Sequence, residues 1–290
     1  HGNAGECALY ADQGTVHIAY GKHVESNHPR INHATLNGTQ VSATIEIEPG
    51  AARNGYDPSV AVRGGTVHIT SAEIIGSNDY ALRYFTRPPG GAWTAETVTA
   101  LPETTFGQSI AVCDNGVPFI SYLEYSSDWT ARVAARSGGS WATALLDDSS
   151  DKIGPAPVAR CQDGRATTVY ADFSGKTLRL ASSGNPPPLD GFSKSTLPME
   201  SVGFHSDLVI HDDHYWVVFF YQSGAIGLAV RPLDLKTDWH VHRVASQDMW
   251  DVGAITGNVK LHIDDTGKPH IMFFGAFGRT DGPWIAALTE

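Results

Sequence analysis

Residues 14–20, GTVHIAY, return almost unchanged as GTVHITS at 65–71. The same alternating pattern recurs as GVPFISY at 116–122, GRATTVY at 164–170, HYWVVFF at 214–220 and GKPHIMF at 267–273. Aligned on their fourth residue or its counterpart, these segments place His17, His68, Phe119, Thr167, Trp216 and His270 in one slot, at steps of 51, 51, 48, 49 and 54 residues. A fixed period near fifty residues is read before any local feature, because it decides the architecture. Each unit opens on a short apolar strand, such as SVAV at 59–62 or SIAV at 109–112, turns on Gly, Asp or Asn, and enters the alternating strand. A third strand follows (ALRYFTR 81–87, TARVAARS 130–137, TLRLASS 177–183, AIGLAVR 225–231). A fourth often opens on Trp (AWTAETV 92–98, SWATALL 140–146, DWHVHRV 238–244).

Period-2 alternation with GG, DNG and PPGG punctuation specifies strands rather than helices. Four antiparallel strands repeated six times predict an all-β fold, a six-bladed β-propeller with four-stranded antiparallel blades. The whole chain, 1–290, reads as one propeller domain, with blades near 1–52, 53–103, 104–151, 152–201, 202–251 and 252–290. Two β-sandwiches would not carry one period across the midpoint. After GPWIAALTE at 282–290 no Trp-led fourth strand follows, so the last blade looks incomplete and the way the ring closes stays open.

Composition agrees with this reading. Only 18% of the residues are charged, 41% are hydrophobic and 10% aromatic, with 30 Gly and 16 Pro, which excludes disorder. A net charge of −11 and the lack of any run of five Lys/Arg argue against a nucleic-acid partner. No apolar stretch approaches the roughly 18 residues of a membrane span, so no membrane insertion is expected. The opening HGNAGECALY carries neither a basic start nor an apolar segment. Composition favours a secreted or periplasmic protein whose signal peptide has been removed.

The unit that runs from Pro58 through SVAV and GG to VHI, then LRYFTR at 82–87 and GAWTAETV at 91–98, resembles the repeats of sialidase-like (BNR-type) bacterial propellers and propeller lectins. The resemblance implies the fold and glycan contact. It does not imply sialidase chemistry, because the S-x-D-x-G-x-x-W box has no clean match and no trio of arginines can be assigned to a sialic-acid carboxylate.

Repetition separates scaffold from site. The slot that holds His17, His68 and His270 holds Phe119, Thr167 and Trp216 elsewhere, so it is a packing position rather than a metal ligand. Five residues on stand Lys22, Glu73, Glu124, Asp172, Tyr221 and Gly275, matched on the third strand to His33, Arg83, Arg132, Arg179, Gly227 and Trp284. Blades 2, 3 and 4 thus carry an acid together with an Arg, which predicts a cross-strand ion pair in each. Cys113 and Cys161 share a slot in neighbouring blades, so they are either an inter-blade disulfide or two buried thiols, with Cys7 left over.

The repeat breaks in blades 5, 6 and 1. Lys22, His33, Tyr221 and Trp284 replace the ion pairs there, joined by His23 and by His205 ahead of an innermost strand. Concave aromatic surfaces with a few convergent polar groups are the default ligand site; drift near the ring closure is the alternative. Trp284, Tyr221, His33, Tyr56 and His205 are the candidate ligand-binding residues. Three functions fit the sector. The first is a lectin-like propeller that binds a glycan or polysaccharide. The second is a polysaccharide-active enzyme, a uronic-acid lyase or glycoside hydrolase, with Lys22, His23, His205 and Tyr221 as catalytic groups. The third is a protein-interaction scaffold. No cofactor and no metal are expected. The sets His23/His28/His33 and His240/His242 fix no ligand geometry, and His1 reads equally as a cloning remnant.

Overall fold

The computed structural model describes residues 7–24, 28–42, 44–47, 54–76, 79–101, 107–125, 129–147, 157–162, 164–172, 174–183, 189–198, 202–221, 223–234, 236–245, 252–277 and 280–287. Their strands form six antiparallel sheets, each ordered as the chain runs. Sheet 1 holds β1 (Cys7–Asp12), β2 (Thr15–Val24), β3 (His28–Asn37), β4 (Gln40–Val41) and β5 (Ile45–Glu46), the last paired to β3. Sheet 2 holds β6 (Tyr56–Arg63), β7 (Thr66–Ile74), β8 (Tyr80–Arg87) and β9 (Thr94–Leu101). Sheet 3 holds β10 (Ser109–Val112), β11 (Pro118–Tyr125), β12 (Trp129–Ser137) and β13 (Ser140–Asp147). Sheet 4 holds β14 (Val158–Gln162), β15 (Arg165–Asp172), β16 (Thr177–Ser182) and β17 (Ser193–Thr196). Sheet 5 holds β18 (Val202–His211), β19 (His214–Tyr221), β20 (Ile226–Pro232) and β21 (His240–Ala245). Sheet 6 holds β22 (Val252–Ile263), β23 (Pro269–Phe277) and β24 (Thr280–Ala287).

The arrangement is a β-propeller, with one correction. Five sheets are blades of four or more strands, not six; the sixth sheet has three strands among the described residues. The described strands of sheet 1 pair only among themselves, so none of them completes the sixth sheet.

The innermost strands follow one another around the axis, β1 against β6, then β10, β14, β18 and β22. They are not hydrogen-bonded to each other as sheets, so side chains must hold them. One apolar cluster fills each of the five junctions between successive sheets. Ala19 and Ile31 meet Val60, Val62, Ile69 and Phe85 between sheets 1 and 2. Ala61, Leu82 and Tyr84 meet Ile110, Ile120 and Tyr122 between sheets 2 and 3. Phe119 and Val133 meet Ala159 and Tyr170 next, and Val169 and Leu180 then meet Leu208 and Phe219. Val218 and Leu228 meet Leu261 and Phe273 between sheets 5 and 6.

A second device repeats on the innermost strands. Ser59 Oγ accepts from the Ile110 N–H at 3.1 Å, and Ser109 Oγ from the Ala159 N–H at 3.0 Å. In the same slot of sheet 5, buried Asp207 accepts from the Leu261 N–H at 3.1 Å. Sheet 4 has Val158 in this slot and no acceptor to offer, and Asp207 Oδ1 instead takes the N–H of Leu208 at 3.0 Å. These bonds fix how far each blade slides along its neighbour.

The Trp that opens several fourth strands is explained by the Arg that ends the third. Arg87 lies over Trp93 and Arg231 over Trp239, each with its guanidinium carbon 5.7 Å from the ring centre. In sheet 3, Arg136 and the Trp141 indole N–H both donate to Glu96 of sheet 2, at 3.0 and 2.9 Å. Of the two alternatives for Cys113 and Cys161, the structure has the disulfide, which joins sheets 3 and 4 with a Cα–Cα distance of 4.7 Å. Cys7 is free and exposed.

Replacing Asp207 with Ala strands the Leu261 and Leu208 N–H groups, at about 1–3 kcal/mol for each buried donor left unpaired. Urea titration is expected to show that loss for Asp207→Ala and a smaller one for Asp207→Asn, which keeps an acceptor.

Candidate functional site

The innermost strands all start at one end of the propeller. Antiparallel order places the ends of second strands and the starts of third strands there too. The cross-strand ion pairs stand at this end as the sequence requires. Glu73 meets Arg83 at 3.2 Å, Glu124 meets Arg132 at 2.6 Å, and Asp172 meets Arg179. Arg179 also reaches Asp147 of the neighbouring sheet at 2.6 Å. That buried carboxylate further accepts from the Tyr170 hydroxyl at 2.7 Å and lies 3.5 Å from Lys194 Nζ. These groups are matched to one another and serve as scaffold.

Sheet 5 lacks its pair for a steric reason. Phe219 faces Gly227 across β19 and β20, and a Cβ on Gly227 would overlap the Phe219 ring. Phe219 in turn sets the Tyr221 ring edge-on at 5.0 Å. Gly227→Ala is expected to cost about 1–3 kcal/mol by overpacking, read as a lowered thermal midpoint.

Sheet 1 departs from the sequence alignment by one residue. The residue opposite Tyr20 is Asn32, so His33 was matched to the wrong slot, and Lys22 faces Arg30 rather than His33. Hairpin loops of unequal length hide this register until the strands pair. Arg30 is bonded to Glu46 of β5 at 2.9 Å, which gives sheet 1 an ion pair of its own. His33 points toward sheet 2 and is buried, with its Nε2 3.2 Å from His17 Nδ1 and its ring edge-on to Trp93. Burial, aided by His17 and Arg87, pushes His33 down to about 4. His68, bonded to the Tyr84 hydroxyl at 2.6 Å, is pushed down to about 4 by burial.

The remaining candidates divide. Lys22 is exposed. Tyr56 begins β6, half-buried, and its carbonyl accepts from Gln108 Nε2 at 2.9 Å. Tyr221 ends β19 and packs on the sheet 4 side of sheet 5. His205 lies in an irregularity of β18, between the Val202–Tyr221 and Ser206–Phe219 pairs. Such a bulge re-aims a side chain. Burial lowers the His205 pKa, and the Lys260 charge of β22 lowers it further. Its Nδ1 is buried with no hydrogen-bond partner among the described residues. The Lys260 charge is thus felt at His205, whereas Tyr221 packs on the sheet 4 side of its sheet. The side chains of His23 and Trp284 lie outside what the structure describes, as do the side chain of His28 and the whole of His1.

Sequence reasoning missed Lys260, Asp207 and Arg160. Arg160 of β14 donates to Asp207 at 2.7 Å and to its neighbour's carbonyl, Ala159 O, at 2.8 Å. Together Arg160, Asp207, His205 and Lys260 put polar chemistry on three consecutive innermost strands. The available signal was the latch slot, which reads Ser59 and Ser109 and then changes to Asp207 and Lys260. No group of three metal-ligating side chains occurs among the described residues.

No protein-family model matches the chain, and no curated protein sequence does. Solved structures do. A protein of unknown function from Dyadobacter fermentans superposes with a TM-score of 0.63 at 9% identity, covering 98% of this chain and 92% of that one. Hadza microbial sialidase Hz136 gives a TM-score of 0.62 at 13% identity over 97% of this chain and 65% of the sialidase. Aleuria aurantia lectin, solved with alpha-methyl-L-fucoside, gives 0.59 at 10% identity over 98% and 95%. At such identities the likeness shows the fold alone, an all-β propeller.

The buried imidazoles set a pH dependence. An unfolded His titrates near 6.5, and His33 and His68 near 4 in the fold. Between these values the unfolded chain binds more protons, so the stability present above about pH 6.5 is lost as pH falls toward 4. His68→Phe, which installs the residue that sheet 3 carries at this slot, is expected to flatten that decline in thermal midpoint relative to the parent.

Proposed function

We propose that this protein is a carbohydrate-binding, lectin-like propeller, and that it receives its glycan at the end where the innermost strands begin. The observation that carries the reading is the Arg160–Asp207 pair at 2.7 Å on the inner wall, with Lys260 in the latch slot of the next strand and its charge acting on His205. Sugar hydroxyls are suited to imidazole, ammonium and carboxylate partners, and Tyr56 and Tyr221 offer half-buried rings at the same end for stacking. Trp284 and Lys22 belong to the same proposed sector. His33 is a support beneath it rather than a contact. The reading takes the three-stranded sheet as the sixth, incomplete blade of one ring, in a secreted or periplasmic protein. A sialidase and a fucoside-binding lectin among the similar folds favour a glycan partner over the phosphate backbone that a chain of net charge −11 would repel.

Titration calorimetry against a panel of neutral and acidic oligosaccharides is expected to give saturable binding. Affinity should fall about tenfold or more, the worth of roughly 1.4 kcal/mol, in His205→Ala, Lys260→Ala and Tyr221→Ala. Absence of heat across the panel at millimolar ligand overturns the proposal. Release of reducing ends or of an unsaturated product from the panel would instead make the site that of a polysaccharide-active enzyme.

A further inference from the structure

Among the described residues, the five apolar clusters join six sheets in series, and none of them spans from sheet 6 to sheet 1. The residue after the latch slot shows the difference directly. In β6, β10, β14, β18 and β22 it is Val60, Ile110, Ala159, Leu208 and Leu261, with exposures of 5, 3, 0, 0 and 6%; in β1 it is Leu9, at 58%. This side chain points to the preceding sheet in every other blade, since Val60 packs on sheet 1 and Ile110 on sheet 2.

Where the side chains of β22 and β23 are described, the face of sheet 6 turned away from sheet 5 is polar. In sheet 6, Val259, Leu261, Ile263, Ile271 and Phe273 pack on sheet 5. The alternate residues Lys260, His262 and Met272 are exposed, and His270, opposite His262, is half-buried and bonded to Asp264 at 2.8 Å. One apolar face and one polar face on a sheet is the pattern of a solvated exterior and of the polar outer face on terminal units in repeat proteins. The latch is missing as well: Lys260 fills the acceptor's slot, and an ammonium has no acceptor to offer the Leu9 N–H.

We infer that the propeller is a series of five dry junctions with one solvated seam between sheets 6 and 1, and that water, not a second chain, occupies the Leu9 surface. The seam is then the place where the ring opens without unfolding. It rests on packing and does not depend on any glycan being bound.

Two substitutions in the intact chain test it. Leu9→Asp is expected to shift the thermal midpoint by no more than about 2 °C, as a surface change within about 0.5 kcal/mol does; a loss of 8 °C or so would show a dry junction. In a Cys7→Ser background, Leu9→Cys is expected to react with a maleimide within about tenfold of its rate in denaturant, whereas a protected junction slows it by a thousandfold or so. Sedimentation at the labelling concentration should show a monomer. Thousandfold protection, or a dimer that confers protection, overturns the inference.

Discussion

Among the described residues, the innermost strands of neighbouring blades do not pair with one another as a sheet, and the packing between blades answers that constraint. Each large apolar side chain buried at a junction contributes about 1.5–3 kcal/mol, so clusters such as Val60–Ile69–Phe85 or Leu228–Leu261–Phe273 supply most of the cohesion. A side-chain latch adds only about 0.5–1.5 kcal/mol. Its value is directional: Ser59, Ser109 and Asp207 each capture one particular N–H of the next blade and thereby fix its height. Apolar packing holds the blades together, and the latches say where.

The polar chemistry of the inner wall grows out of the same slot. Where it holds Ser59 or Ser109, the slot itself is neutral. Where it holds Asp207 and Lys260, the wall gains charge, and Arg160 and His205 gather beside it. A structural position has been put to another use without disturbing the backbone around it, since Asp207 still performs the latch while it binds Arg160.

Features that every blade needs were legible in the sequence, because they recur. The fifty-residue period, the strand order and the Glu73–Arg83, Glu124–Arg132 and Asp172–Arg179 pairs all follow from matched positions within one unit. The common slot of Cys113 and Cys161 showed that a bridge was possible but left two buried thiols as the alternative, which the structure resolves in favour of the bridge. Features that join one unit to the next at unlike positions were not legible. Asp147 meeting Tyr170 and Arg160 meeting Asp207 depend on how blades stack, which no single repeat encodes. The assignment of His33 failed for a local reason: only strand pairing reveals that Asn32, not His33, lies opposite Tyr20. The candidate sector was partly legible. His205 was expected ahead of an innermost strand and lies within β18 instead, whereas Lys260 was passed over because a lone lysine in VKLHI reads as an ordinary outward residue.

The bridge between Cys113 and Cys161 spans 48 residues and fastens two inner strands near where they finish. Nearly the whole of sheet 3 hangs within that covalent loop. A protease that severs one peptide bond inside it leaves both fragments tied, so nicked and intact molecules share one mass but for the added water until a reductant separates them. Wear in such a molecule accumulates unseen, and a reducing compartment would expose it all at once.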